Sequence, residues 1–170
     1  DVAVRYEIKN QSSAVWKGQF FAQIRQQPIS DNAGFFGLHT YAGAAISSPE
    51  SRYEKLSFSG LAKENLQRNI QGGWLAIQQR YFLSAWIPQP QQQDNYYSRF
   101  DPNTNTYTLG YVGPVISVPA GNSGNASATL YAGPEIGDLL AKVAPHLDLT
   151  INYGYDWLWY IAIVIFTVMK

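Results

Sequence analysis

The run GGWLAIQQRYFLSAWIP, residues 72–88, limits the possible folds more than any other part of the chain. Leu75, Ile77, Tyr81, Leu83, Ala85 and Ile87 fall on odd positions, interrupted by Gln79, while Trp74, Phe82 and Trp86 fall on even ones. An extended segment projects successive side chains to opposite faces, so this run presents large apolar groups on both and at least part of it must be buried twice over. Periodicity alone leaves a helix open, but Gly72-Gly73 before the run and Pro88 after it bracket a strand or strand pair. Gly73, Trp74, Tyr81, Phe82, Trp86 and Pro88 are therefore candidate structural residues of a strand element.

Neighbouring segments read the same way. Val2, Val4, Tyr6 and Ile8 alternate with Arg5, Glu7 and Lys9, a half-buried strand. NQSSAV offers turn residues, and WKGQFFAQIRQ resumes the extended pattern until QQPISDNAG breaks it, so these two segments are expected to form a hairpin. In RYEKLSFSGL the aromatic content at Tyr53 and Phe58 favours sheet over helix. QPQQQDN reads as a polar linker or long loop. TYTLGYV, PVISVPAG and NASATLYAG read as three short strands punctuated by Gly, Pro and Asn, the signature of an all-β sandwich. One segment departs from this: in PEIGDLLAKVAP, residues 134–145, Ile136, Leu139, Leu140 and Val143 lie at i, i+3, i+4 and i+7. Pro134 suits a first helical turn, Glu135 and Asp138 lie early, Lys142 lies late and Pro145 ends the pattern, which predicts a short amphipathic helix.

A chain of 170 residues supports one domain with a sizeable core. Its charged content of 14% is below the roughly 25% usual for soluble proteins, leaving amides and hydroxyls to cover the surface. The 12 basic and 12 acidic side chains cancel, so no strong field favours a polyanion and no nucleic-acid partner is expected. Without cysteine there is no disulfide framework, Cys-ligated zinc or thiol nucleophile, and cytosol and periplasm fit equally well. DVAVRYEIKN lacks a basic head and apolar core, so a signal peptide is not expected here and would have been trimmed or lie upstream.

The last stretch, DWLWYIAIVIFTVMK, is unlike anything before it, with Thr167 the one polar residue between Trp157 and Met169. A helix apolar on every side needs burial all round, which a domain of this size rarely supplies. The run is also shorter than the roughly 20 apolar residues of a spanning helix. Trp157, Trp159 and Tyr160, with Tyr153 and Tyr155 nearby, suit the headgroup layer that Trp and Tyr favour, so an interfacial or membrane-approach segment is expected.

Signals for catalysis are weak. His39 and His146 are far apart and lack the spacing of a metal site; His39 with Glu50 or Glu54 could form a base pair of the kind sugar chemistry uses, but nothing in the spacing requires it. Gly34, Gly37 and Gly43 are explained by turns, because no phosphate-loop Lys accompanies them. The 5 Trp and 12 Tyr could stack on sugars, although core and cross-strand roles account for most aromatic side chains of this kind.

GGWLAIQQRYFLSAWIP, YAGPEIGDLLAKVAPHLDLTINYG with the adjoining WLWYI, and the earlier FGLHTYAGAAISSPESRYEKLSF together resemble the first periplasmic domain of the bacterial membrane protein insertase family, YidC with its Oxa and Alb relatives. The likeness runs from about residue 34 to residue 160, and YAGPE and APHLDLT are its most specific strings. It implies a mainly β chain: a twisted β-supersandwich, similar to the galactose mutarotase fold, closed by C-terminal helical elements beside the inner membrane. It further implies no catalysis and no cofactor. The family inserts and helps fold membrane proteins, alone or with the Sec translocon, so the implied partners are the inner membrane, Sec translocon components and nascent membrane proteins. On this reading residues 1–133 form the sandwich region, 134–155 a helix and connector, and 156–170 an apolar interfacial segment. Gly133, Pro134 and Glu135 would set the helix start, and Leu147, Asp148, Leu149, Tyr153 and Gly154 would join it to the membrane approach as a docking and connecting surface.

Two departures from the family accompany the likeness. The family's domain is usually longer, so residues 1–33 are expected to begin partway through the sandwich and to leave an unpaired edge strand. Tyr155-Asp156 is inserted ahead of Trp157, and Ala162-Ile163-Val164 makes apolar a stretch that is normally amphipathic. The alternatives are a carbohydrate-binding or mutarotase-like sandwich, and a scaffold domain that binds another chain by its sheet edge.

Overall fold

A computed structural model describes residues 1–27, 41–79, 81–151 and Thr167. The chain forms β1 (Val2–Lys9), β2 (Trp16–Gln26), β3 (Gly43–Ser47), β4 (Glu54–Leu56), α1 (Phe58–Lys63), β5 (Gln67–Gln71), β6 (Trp74–Gln79) and β7 (Phe82–Ile87). It continues with β8 (Gln93–Asp101), β9 (Thr106–Val118), β10 (Ser123–Pro134), α2 (Gly137–Val143) and a 3₁₀ turn at Leu147–Thr150. The strands make two antiparallel sheets, one ordered β1-β10-β7-β6-β3-β4 and the other β2-β9-β8-β5. The mainly β sandwich expected from the sequence is what forms.

The doubly apolar run becomes the β6–β7 hairpin inside the larger sheet, and it is buried on both faces as its composition requires. Leu75 and Ile77 enter the core between the sheets with Ala44, Ile46, Tyr96, Leu109 and Tyr111. Trp74 and Ala76 face the other way, into a second core with Ala45, Leu83, Ala85, Tyr131, Leu140, Ala144 and Leu147. Odd and even positions do not keep their faces across the turn. Leu75 pairs with Trp86 and Ala76 with Ala85, so the odd Leu83 and Ala85 share a face with the even Trp74, while Trp86 packs toward the inter-sheet core. A hairpin pairs residues whose numbers sum to a constant, and here that sum is odd, which exchanges parity between its arms. At the entrance, Gly73 holds φ 76°, and a Cβ there would lie 2.1 Å from the Ser47 carbonyl oxygen. Only glycine fits so close a backbone approach.

The first two strands do not form a hairpin. β1 pairs with β10 in the larger sheet, whereas β2 pairs with β9 in the smaller one. The intervening NQSSAV is a corner rather than a tight turn. The Asn10 amide nitrogen donates to the carbonyls of Ala14 and Val118, both at 2.8 Å. The Asn10 backbone exchanges bonds with the β9–β10 connection, its N–H donating to the Asn122 carbonyl and its carbonyl accepting from Gly121, each at 2.9 Å. The two strand pairs are thus one antiparallel ribbon bent from sheet to sheet. β1 and β2 each have a single partner strand in their sheets, and Val2 and Tyr6 on β1 stay exposed.

Three further segments differ from the sequence reading. TYTLGYV and PVISV are one 13-residue strand, because pairing of β9 with β8 ends at Val112 and Pro114 lies beyond it. There the missing N–H is not needed on the β8 side, and a bulge between Gln19 and Phe21 of β2 accommodates the site on the other. QPQQQDN is only a short turn, with β8 already begun at Gln93. The segment after Leu56 is helical: Ser57 caps α1, its hydroxyl accepting from the Gly60 N–H at 3.1 Å, and Leu61 packs under the inter-sheet core. Local capping prevails over the aromatic preference for sheet.

Aromatic side chains fill much of the space between the sheets. Phe100 stacks on Tyr107 at 4.5 Å, Phe58 lies 4.6 Å from the same ring, and Tyr96, Tyr111 and Phe20 continue the series. Asp94 is wholly buried among them. Its Oδ1 accepts from the Gln92 amide at 2.5 Å, but neither its Oδ2 nor the Tyr111 hydroxyl has a hydrogen-bond partner among the described residues. Burial pushes the Asp94 carboxyl above its ordinary value, with the Gln92 bond opposing.

Candidate functional site

The outer face of the six-stranded sheet is where β10 passes into α2 and the 3₁₀ turn. The amphipathic helix is shorter than 134–145 and begins later. Pro134 closes β10 opposite Phe82, Ile136 is the extended N-cap, and α2 covers Gly137–Val143. The Glu135 N–H explains the delay, because it donates to the Tyr81 carbonyl at 2.9 Å and so extends the strand pairing by one more bond. Leu140 and Leu147, both fully buried, then press onto Trp74, Leu83 and Tyr131. Burying two leucine side chains this way contributes roughly 3–6 kcal/mol of transfer free energy.

Hydrogen bonds fix the cap in register. The Trp74 indole N–H donates to the Pro145 carbonyl at 3.0 Å, and the Tyr131 hydroxyl donates to the Pro134 carbonyl at 2.6 Å. At the centre lies Gln78, a polar side chain on a strand buried on both faces. Its Oε1 accepts from the Tyr53 hydroxyl at 2.7 Å, and its Nε2 donates to the Thr150 carbonyl at 2.6 Å and to Glu135 Oε1 at 3.2 Å. Burial raises the Glu135 carboxyl above its ordinary value against the opposing Gln78 bond, and burial likewise raises the Tyr53 hydroxyl, helped by Tyr41 and Glu135. Burial pushes Tyr41 up to about 12, and the Lys55 ammonium sits 5.0 Å and 5.8 Å from the centres of the Tyr41 and Tyr53 rings.

The residues expected to dock and connect are distributed around this node. Gly133 is paired with Leu83 in β10, and Pro134 and Glu135 stand at the strand's end. Leu147 anchors the 3₁₀ turn, Asp148 receives the Ile151 N–H at 3.1 Å through its carbonyl, and Leu149 is exposed. His146 takes a left-handed conformation, φ 66°, at the start of that turn. Tyr153, Gly154, Trp157, Trp159, Tyr160 and His39 lie outside the described residues. Of the strand residues, Trp74 and Pro88 are buried and Trp86 donates its indole N–H to the Gln23 carbonyl at 3.3 Å, but Tyr81 and Phe82 stand in solvent. Sequence reasoning misses Gln78 and Tyr53 as site residues. A glutamine in a strand whose neighbours are apolar on both faces is the available signal, since a buried amide must find partners.

A sugar site would need a histidine and a carboxylate converging in one cleft. A cleft of about 600 Å³ on the outer face of the smaller sheet is lined by Gln23, Arg25, Tyr97, Arg99 and Asp101 among others, with the Tyr97 hydroxyl donating to Gln23. His146 is on the capped face of the other sheet. Among the described residues, no three His, Asp or Glu side chains are grouped to hold a metal ion.

An antiparallel sandwich whose last strand runs directly into a helical cap on its own outer face defines a mainly β domain. Comparison with known proteins gives the family. The family model for the YidC periplasmic domain matches residues 1–168, and the chain belongs to that family. It is 42% identical to a Coxiella burnetii (strain Dugway 5J108-111) protein and 40% identical to a Pseudomonas aeruginosa (strain LESB58) protein, both named membrane protein insertase YidC. Each match covers 99% of this chain, which spans 30% and 29% of the respective relatives' length. No helix among the described residues is long and apolar enough to cross a membrane.

Proposed function

We propose that this chain is the non-catalytic periplasmic module of a membrane protein insertase, held beside the inner membrane while the remainder of the insertase inserts and folds inner-membrane proteins, alone or with the Sec translocon. Family membership over nearly the whole chain supports the insertase assignment. The observation that carries the module's role is the docked connector. Trp74, Gln78 and Leu147 bind the chain from Pro145 to Thr150 to the six-stranded sheet, so the segment leading to residues 156–170 departs from a fixed point. A connector held this way transmits position rather than chemistry. Its partners would be nascent membrane proteins and translocon components approaching the exposed side of Leu149 and Asp148.

The test uses the full-length insertase in cells depleted of the native one. Leu147→Asp is expected to slow insertion of a reporter inner-membrane protein, while the exposed Gln89→Ala leaves it unchanged. A crosslinker at Leu149 is expected to recover nascent membrane proteins or translocon subunits. Unimpaired insertion with Leu147→Asp, together with loss of insertion on deleting residues 1–130, would move the function from the connector into the sandwich.

A further inference from the structure

The predicted stripe of α2 is wider than the surface the sheet offers it. Leu140 is buried and Val143 packs against the second core, but Ile136 and Leu139 remain 52% and 41% exposed. Beside them, the tip of the β6–β7 hairpin presents Tyr81 and Phe82 at 67% and 59% exposure. These four residues are contiguous: Phe82 pairs with Pro134, the Glu135 N–H binds the Tyr81 carbonyl, Ile136 comes next, and the Leu139 N–H donates to the Ile136 carbonyl at 3.0 Å. At 100° per residue, Asp138 and Lys142 lie about 160° from Leu140, and Lys142, about 60° from Leu139, borders the rim with a cation of the kind that anionic headgroups attract.

Position gives this rim its meaning. Gln78 reaches both Glu135, at the rim, and the Thr150 carbonyl, so Thr150 lies one side chain away from the residue between Tyr81's partner strand and Ile136. Downstream the sequence runs into WLWYIAIVIFTVM, with Thr167 its one polar residue. Other exposed apolar groups, such as Val2, Tyr6, Trp16 and Phe21, belong to the free ribbon edge formed by β1 and β2. Contiguous exposed apolar patches mark contact surfaces, and aromatic rings with aliphatic neighbours beside a membrane-directed segment match the headgroup boundary.

We propose that Tyr81, Phe82, Ile136 and Leu139 form a lipid-contacting rim that rests on the phospholipid bilayer and sets the tilt of the sandwich over it. This rests on the reading of the chain as a membrane-side module. The occupant is the lipid interface rather than a protein, because the rim adjoins Thr150, after which the sequence runs into its long apolar stretch. Two contacts, the tail and the rim, fix an orientation where one would leave a swivel.

The full-length insertase, in a cysteine-free background and reconstituted into vesicles of phosphatidylethanolamine and phosphatidylglycerol, carries an environment-sensitive dye on one cysteine at a time. The sites are Phe82→Cys and Leu139→Cys in the rim, Gln89→Cys at the opposite end of β7, and Tyr160→Cys in the tail. All three sandwich positions are on the surface, and resistance to trypsin confirms that each variant folds. Spin-labelled lipid is expected to quench the dyes at 82, 139 and 160 severalfold more than the dye at 89. Equal, weak quenching at 82, 139 and 89 with strong quenching at 160 overturns the rim but leaves the membrane-side reading intact. No quenching at 160 either overturns both. A dye at 82 shielded from both lipid and aqueous quenchers, and crosslinking to the tail, shows that residues 156–170 cover the rim and overturns lipid contact.

Discussion

Gln78→Leu isolates the polar node that holds residues 135–150 against the sheet. The substitution keeps most of the side-chain volume but removes the acceptor for Tyr53 and the donor for Thr150 and Glu135. Thr150 is 1% exposed, so its carbonyl would lose its partner with no route to water, a cost of about 1–3 kcal/mol. Tyr53 and Glu135 are half-buried and can be partly rehydrated, adding roughly 1 kcal/mol between them. A loss of about 3 kcal/mol lowers the melting temperature of a domain this size by roughly 6–12 °C. Circular dichroism measures that shift, and amide exchange should show residues 146–151 opening well before the sheet. If the melting temperature holds and protection of residues 146–151 is unchanged, Gln78 is not what fastens the cap.

The remaining predictions concern the sandwich itself. Asp94 and Glu135 both have carboxyls raised above their ordinary values of 3.8 and 4.5, so the folded state holds these protons more tightly than the unfolded one. Their effect on stability is therefore fully favourable below the ordinary values and is lost as pH rises through the raised ones, and denaturant titrations from about pH 4 upward should show that decline. Asp94→Asn, which removes the buried charge, should flatten the profile and gain about 1–3 kcal/mol at neutral pH; an unchanged slope would assign the decline elsewhere. Gly73→Ala forces a Cβ against the Ser47 carbonyl at a positive φ and should cost at least about 2 kcal/mol, read as a lower denaturation midpoint with the slope preserved.

Much of the architecture is legible locally. The apolar groups on both faces of residues 72–88 demand cover on two sides, and the sandwich interior and the helical cap supply it. The i, i+3, i+4, i+7 stripe locates α2, although Pro134 is drawn into the strand by the pairing of its neighbours with the β6–β7 hairpin. Pairing across sheets is not legible. Asn10 looks like any turn residue until its amide is seen stitching the β1–β2 corner to Val118, 108 positions away. Pro114 reads as a strand break because sequence does not reveal that β8 has stopped pairing with β9 by that point. In the site, Trp74 stands out in the sequence as an apolar residue of a doubly buried run and Leu147 is named through the family resemblance, whereas Gln78 carries no periodic signal and its importance depends on three partners distant in sequence.

Sequence by itself determined the alternation, the turns, the short helix and the apolar ending, because these arise from how each residue's backbone and side chain behave next to near neighbours. Tertiary structure alone decided which strand joins which sheet, which residue locks the helical cap onto the sheet, and which apolar side chains stay uncovered. Those outcomes depend on contacts between residues far apart in the chain, and such contacts are chosen by the packing of the whole rather than by any stretch of it.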